Sequence, residues 1–174
     1  MVAAAFCLFI CARPAEAVPS NNKCDLPRGL QREILSRFPG MRIVSSADLA
    51  SDDKRFFEAD HNGECPGLAK VDFYGDGKPT MALVLTSAKR TAGQSQLIVA
   101  HLSENKWELA CLDTGGSGST TPVVWSQPAG TYEDVYGNKT IRATHPVIVF
   151  CGYESWTILY AWTGNRVSKI WIAD

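Results

Sequence analysis

Residues 65 to 85 read Cys65-Pro-Gly-Leu-Ala-Lys-Val-Asp-Phe-Tyr-Gly-Asp-Gly-Lys-Pro-Thr-Met-Ala-Leu-Val-Leu85. Two apolar runs of strand length, Leu68 to Phe73 and Met81 to Leu85, flank the turn pair Asp76-Gly77. Glycine adopts the positive φ of a tight turn at little steric cost, and aspartate tolerates it. The stretch therefore predicts a β-hairpin at the centre of a β-rich fold.

The chain beyond this hairpin has the pattern of further strands. Apolar runs separated by turn residues predict strands at 68–73, 80–86, 95–102, 106–112, 122–125, 146–151, 155–162 and 166–172. Short loops favour antiparallel pairing, because a parallel crossover needs a dozen or more residues. The segment Thr163-Gly164-Asn165-Arg166 predicts a second tight hairpin between the last two strands.

The chain before the hairpin predicts two short helices. In the first, which opens at Leu26-Pro27, apolar residues recur at helical spacing until Pro39-Gly40 ends it. The second spans Asp52 to Ala59, and Ser46 to Leu49 predicts a brief helical turn before it. The expected fold is mainly β with short N-terminal helices, which makes it an α+β fold. Its strands are expected to form a largely antiparallel sheet or a sandwich within a single domain.

The first seventeen residues predict a signal peptide. Val2 to Ala12 is an apolar run of the length of a signal-peptide core, and Ala15-Glu16-Ala17 matches an A-x-A cleavage site. The run is too short to span a bilayer. We therefore expect a signal peptide at 1–17 and a single exported domain at 18–174, periplasmic or secreted, without membrane insertion after cleavage. The usual positive start of a signal peptide is missing, which leaves the true start codon open.

Four cysteines would remain after cleavage, and in an oxidising compartment four cysteines predict two disulfides with three possible connectivities. We favour a Cys24–Cys65 bridge to the central hairpin and a Cys111–Cys151 bridge between two strands, without excluding the other pairings. None of the four forms a C-x-x-C pair, so zinc and thioredoxin-type chemistry are poorly supported.

Several function classes lack support. A net charge of −1 without a Lys or Arg cluster argues against a nucleic-acid partner. The three histidines, His61, His101 and His145, are scattered along the chain, and no nucleophile–base set, nucleotide loop or zinc motif accompanies them. The sequence therefore predicts a protein that is not an enzyme, without catalytic residues.

The segment Asp72 to Thr80 resembles the calcium loops of FG-GAP repeats, which run D-x-N-x-D-G-x-x-D. Such loops wrap calcium in oxygen ligands at alternate positions. Asp72 and Asp76 match the pattern, whereas Tyr74 and Thr80 replace two ligand residues. We favour a structural hairpin loop without metal or other cofactor. The alternative is a calcium-stabilised structural or adhesive envelope module.

The most unusual loop runs from Thr114 to Thr121. A phosphate-binding loop would need a lysine after the glycines and a helix behind it, but here Thr121-Pro122 leads into a strand. The loop is then either a flexible surface connection or a small polar tip that enters a narrow cleft on a partner. In the second case its partner-binding residues are Gly116, Ser117, Gly118, Ser119 and Thr120.

Small size, an export signal, β content and this loop are similar to features of periplasmic immunity proteins, which protect bacteria against type VI secreted cell-wall hydrolases. The resemblance implies an inhibitor that binds a peptidoglycan hydrolase effector and blocks its active-site cleft through the loop. The aromatic strands around Tyr153 to Trp162 are the other candidate protein interface, because Trp and Tyr give interfaces large rigid contact areas.

Overall fold

The computed structural model describes residues 23–89, 95–114 and 120–173. It confirms a mainly β fold with antiparallel sheets and two short helices in its N-terminal part. The predicted signal peptide at 1–17 lies outside the described residues. So do Gly116, Ser117, Gly118 and Ser119 of the predicted partner-binding loop. None of the helices in the described ranges is long and apolar enough to cross a membrane.

The elements in chain order are α1 Arg28–Arg37, β1 Met41–Ile43, α2 Ser51–Asp60, β2 Leu68–Val71, β3 Thr80–Ser87, β4 Gln96–Ser103, β5 Lys106–Asp113, β6 Val123–Gln127, β7 Gly130–Glu133, β8 Thr140–Ala143, β9 Val147–Gly152, β10 Trp156–Trp162 and β11 Val167–Ala173.

The strands form two main sheets and one ribbon. The first sheet has the order β1-β3-β4-β5, and β2 also pairs with β3. The second has the order β11-β10-β9-β6, and β7 pairs with β8 in a separate ribbon. Both predicted hairpins are confirmed, because β2 pairs antiparallel with β3 and β10 pairs antiparallel with β11.

The largest core cluster lies between the two main sheets. It joins residues of the first sheet, such as Val84 and Val99, to residues of the second, such as Ile148 and Phe150. Alternate residues of the first sheet belong to a second cluster, which α1 covers. The β7–β8 ribbon packs over a third cluster, which contains the alternate residues of β9 and β10. Strands β3 and β9 are covered on both faces, and their sequences are therefore nearly continuously hydrophobic.

Two local predictions differ from the structure. The β7–β8 ribbon was not predicted, because each of its strands has four residues and only Ile141 and Ala143 are buried. The predicted helical turn at Ser46 to Leu49 is instead a tight turn in which the Asp48 N–H donates to the carbonyl of Ser45. The Asp48 side chain stabilises this turn by accepting bonds from the Ser45 N–H and hydroxyl.

The cysteine prediction is half right. Cys24 and Cys65 form a disulfide, as predicted. The predicted Cys111–Cys151 bridge is wrong, because both thiols are free. Cys111 is exposed on β5 at the edge of the first sheet, whereas Cys151 is buried in β9, inside the second sheet. Partial desolvation of its sulfur raises the pKa of Cys111, and burial raises the pKa of Cys151, so both thiols stay protonated and weakly reactive.

Candidate functional site

The loop between β2 and β3 uses its acidic side chains to stabilise its own turn. Asp72 Oδ1 accepts from the Gly77 N–H at 3.3 Å, and Asp76 Oδ1 accepts from the Lys78 N–H at 3.1 Å. Gly75 and Gly77 have φ values of +69° and +70°, which glycine adopts without strain. No cluster of three or more His, Cys, Asp or Glu side chains that could hold a metal ion occurs within the described ranges.

His101 is held next to this loop by two polar contacts. It lies in β4 directly opposite Thr80 of β3, and its Nδ1 is 2.9 Å from the Thr80 hydroxyl oxygen. Its Nε2 is 3.2 Å from Asp76 Oδ2. With both ring nitrogens engaged, the imidazole has a fixed orientation.

The Asp76–His101–Thr80 arrangement has the order of groups in a carboxylate–imidazole–hydroxyl triad. A nucleophile must be reached by its substrate, however, and Thr80 is only 2% exposed. The arrangement therefore positions the imidazole and the loop and does not present a reactive hydroxyl.

An aromatic cluster also contacts the His101 ring. The Tyr74 ring makes edge-on contacts with Phe73, His101 and Trp162, at centroid distances of 5.1, 4.7 and 5.1 Å. Tyr74 belongs to the β2–β3 loop, and Trp162 is the last residue of β10 in the second sheet. The cluster thus packs against the core between the two main sheets, with rings in the geometry that aromatic pairs prefer.

A surface recess of about 520 Å³ opens over this cluster. It is lined by Tyr74, Asp76, Lys78, His101, Ser103, Glu108, Leu109, Ala110 and Trp162. Burial raises the pKa of the Tyr74 hydroxyl, and the charges of Glu108 and Asp76 raise it further. Two carboxylates, Asp76 and Glu108, line the recess against one lysine, Lys78, so the charged side chains of the lining sum to a net negative charge.

Two of the three histidines meet at the β2–β3 loop. A Cβ atom on Gly75 would lie 2.1 Å from the His145 ring, so this ring packs directly on the loop backbone. The third, His61, lies between Phe57 and Trp125 at centroid distances of 4.6 and 4.8 Å, and burial lowers its pKa. Sequence reasoning missed the convergence of His101 and His145. The pairing of Thr80 with His101 was the one available signal, and it requires the exact hairpin register.

The predicted partner-binding loop connects the two main sheets, and both of its ends are anchored. Asp113, the last residue of β5, accepts from the Tyr160 hydroxyl and, at 2.5 Å, from Lys169 Nζ. Thr121 donates its hydroxyl to the carbonyl of Asp48 at 3.0 Å. Thr120, the one predicted partner-binding residue within the described ranges, is half-buried beside this anchor.

Asp48, whose carbonyl accepts from Thr121, also forms an ion pair with Arg42. Arg42 donates to both carboxylate oxygens, at 2.6 and 2.5 Å, and the Asp48 side chain is only 10% exposed. The hydrogen bond from Arg42 is the main reason that the pKa of Asp48 falls from 3.8 to about 2. A group whose pKa is lowered by folding stabilises the fold above its unfolded pKa and loses that contribution as the pH falls through the folded value.

We expect Asp48→Asn to lower the free energy of unfolding by about 2 kcal/mol at pH 6, which corresponds to the pKa shift. The difference between variant and wild type should shrink as the pH falls from about 4 to about 2, because the wild-type carboxylate is then protonated. Urea denaturation across this pH range measures the effect. Glu58→Gln is the control, since the Lys54–Glu58 pair at 3.8 Å is exposed and should contribute about 0.5 kcal/mol or less. A constant deficit at all pH values would contradict the role of this carboxylate.

The aromatic strands near the C-terminus direct most of their rings inward. Trp156 packs edge-on against Phe150, and Tyr160 is 2% exposed. Burial raises the pKa of Tyr153 to about 12. Trp162 is the ring of this group that lines the recess, so the alternative interface predicted around Tyr153 to Trp162 shares that residue with the recess.

The recess and the anchored loop share one strand, β5. Ala110 lines the recess and Asp113 anchors the loop, and residues three apart on a strand are separated by about 10 Å. Comparisons of this chain with protein-family profiles, with curated proteins and with solved structures found no significant match.

Proposed function

We propose that this chain is an exported binding protein that inhibits a cell-wall hydrolase by docking along β5. The observation that carries the proposal is the placement of an aromatic recess and an anchored polar loop on this one edge strand. The Cys24–Cys65 disulfide supports an oxidising compartment, the periplasm or the exterior of the cell.

The chemistry of the surface favours recognition over catalysis. Tyr and Trp side chains beside a few charged groups are typical of protein interfaces. Within the described residues β5 pairs only with β4, so its second edge is open to a partner backbone. The hydroxyl beside His101 is buried, and this argues against attack on a substrate.

The loop between Thr114 and Thr121 is the inhibitory element in this proposal. Its serine and threonine hydroxyls suit a polar active-site cleft, because a hydrophobic groove would leave them without hydrogen-bond partners. Gly116 and Gly118 let the backbone adapt to the cleft. Anchors at Asp113 and Thr121 reduce the conformational entropy that binding has to remove.

The test separates binding from folding. The mature protein is used as bait in a periplasmic extract of its own source, and peptidoglycan hydrolysis by the captured partner is measured with and without it. Replacing Ser117 and Ser119 with Trp should weaken inhibition at least 100-fold, because the bulky rings prevent entry into the cleft. The melting temperature should change by about 2 °C or less, because in this proposal the loop contributes to binding and not to the folded core.

Asn138→Trp is the matched control. It places the same ring on an exposed turn of the β7–β8 ribbon and should leave inhibition unchanged. Normal inhibition by the Ser117/Ser119 variant would show that the loop is only a connection. Capture of a partner that has no hydrolase activity would overturn the inhibitor assignment.

A further inference from the structure

The charges around the recess do not balance. Asp76 lies 3.7 Å from Lys78 Nζ and 3.2 Å from His101 Nε2, so its carboxylate has partners within the protein. Glu108, on the exposed edge of β5, has no hydrogen bond or ion pair from its side chain to any of the described residues. The recess therefore presents one uncompensated carboxylate beside its aromatic wall, which the rings of Tyr74 and Trp162 form.

The aromatic wall favours a particular kind of cation. The faces of Tyr and Trp rings attract positive charge, and a planar guanidinium stacks on them better than a compact ammonium does. A guanidinium also forms two parallel hydrogen bonds with one carboxylate. In this recess Tyr74 and Trp162 supply the rings, and Glu108 supplies the carboxylate.

We propose that the recess receives an arginine side chain of the partner protein, whose guanidinium stacks against the aromatic wall and pairs with Glu108. This inference rests on the proposed function, because it names the chemistry that the partner presents to β5. An acidic side chain would be repelled by the carboxylates, and an aliphatic one would leave Glu108 unpaired. Charge complementarity with Glu108 then determines which partner side chain the recess accepts.

The experiment needs no partner protein. The full mature chain is titrated with the peptide acetyl-Gly-Arg-Gly-amide, and binding is followed by NMR through the indole N–H signal of Trp162, assigned with Trp162→Phe. A single side chain should bind with a Kd in the millimolar range, about −4 kcal/mol. The same peptide with citrulline in place of arginine keeps the shape and loses the charge, so it should bind at least tenfold more weakly.

Glu108→Gln should weaken binding of the arginine peptide at least fivefold. Glu133→Gln, an exposed acid of the β7–β8 ribbon, is the matched control and should leave binding unchanged. Equal binding of the arginine and citrulline peptides, or unchanged binding to Glu108→Gln, would overturn the proposal. A response to an N-acetylglucosamine oligomer without a response to the arginine peptide would show a glycan site and would also overturn it.

The inference and the proposed function fail in different ways. If the peptide does not bind but the Ser117/Ser119 variant loses inhibition, the arginine inference is wrong and the inhibitor function stands. If the peptide binds at Glu108 but the captured partner is inhibited equally well by Glu108→Gln, the recess binds guanidinium groups and the partner's arginine is not its occupant.

Discussion

Replacing Cys24 and Cys65 together with alanine should lower the free energy of unfolding by about 4 kcal/mol, the expected contribution of a disulfide that closes a loop of this size. The two residues are 41 positions apart, and the bridge joins the segment before α1 to the start of β2. Without it, the unfolded chain gains the freedom that this loop closure removes. For a domain of about 150 residues, the melting temperature should fall by roughly 8 to 16 °C.

Chemical denaturation of the mature protein, with and without reductant, measures this effect. Reduction of the wild type should reproduce the loss seen in the double variant. Cys111→Ala is the control, because Cys111 is a free exposed thiol and its replacement should change stability by about 0.5 kcal/mol or less. A loss below about 1 kcal/mol in the double variant would contradict the loop-closure contribution of this disulfide.

Gly67→Ala should destabilise the protein by about 3 kcal/mol, at the upper end of the cost of overpacking. A Cβ atom at this position would lie 2.4 Å from the carbonyl oxygen of Val44 and 2.7 Å from its backbone nitrogen. Neither backbone segment can move away easily, because Gly67 accepts from the Val84 N–H while the Val44 N–H donates to the Val84 carbonyl. Glycine is required here because the backbone segments at Gly67 and Val44 approach each other closely at one edge of β3.

The control is Gly137→Ala, at an exposed turn where nothing lies within 4 Å of the added Cβ atom. Gly137 has a φ of +68°, so its replacement should cost only about 1 kcal/mol from the left-handed backbone conformation. Thermal denaturation of both variants gives the comparison. A smaller loss in Gly67→Ala than in Gly137→Ala would contradict the close packing at Val44.

The paired substitutions test different parts of the molecule. The disulfide and Gly67 variants test the stability of the framework that brings α1, β1 and β2 onto β3. The loop and recess variants concern the surface along β5, which this framework supports from the opposite edge of the first sheet. A loss of inhibition without a loss of stability would therefore locate function on the β5 side alone.

The sequence by itself predicted most of the regular structure, because helices and strands follow from local periodicity and turn chemistry. The central hairpin, the hairpin at Thr163 to Arg166 and the Cys24–Cys65 bridge were all predicted and are all present. The β7–β8 ribbon was not predicted because its strands have four residues each and only two buried side chains between them, which gives little periodic signal.

The tertiary structure alone decided how distant residues meet. The even number of cysteines predicted a second disulfide between Cys111 and Cys151. These two residues lie in different sheets, however, and their thiols are free. The recess combines Tyr74, His101, Glu108 and Trp162, which belong to a hairpin loop and three different strands. Local sequence patterns specify which residues form each strand. They do not specify which strands become neighbours, and that choice depends on how the whole chain buries its apolar faces.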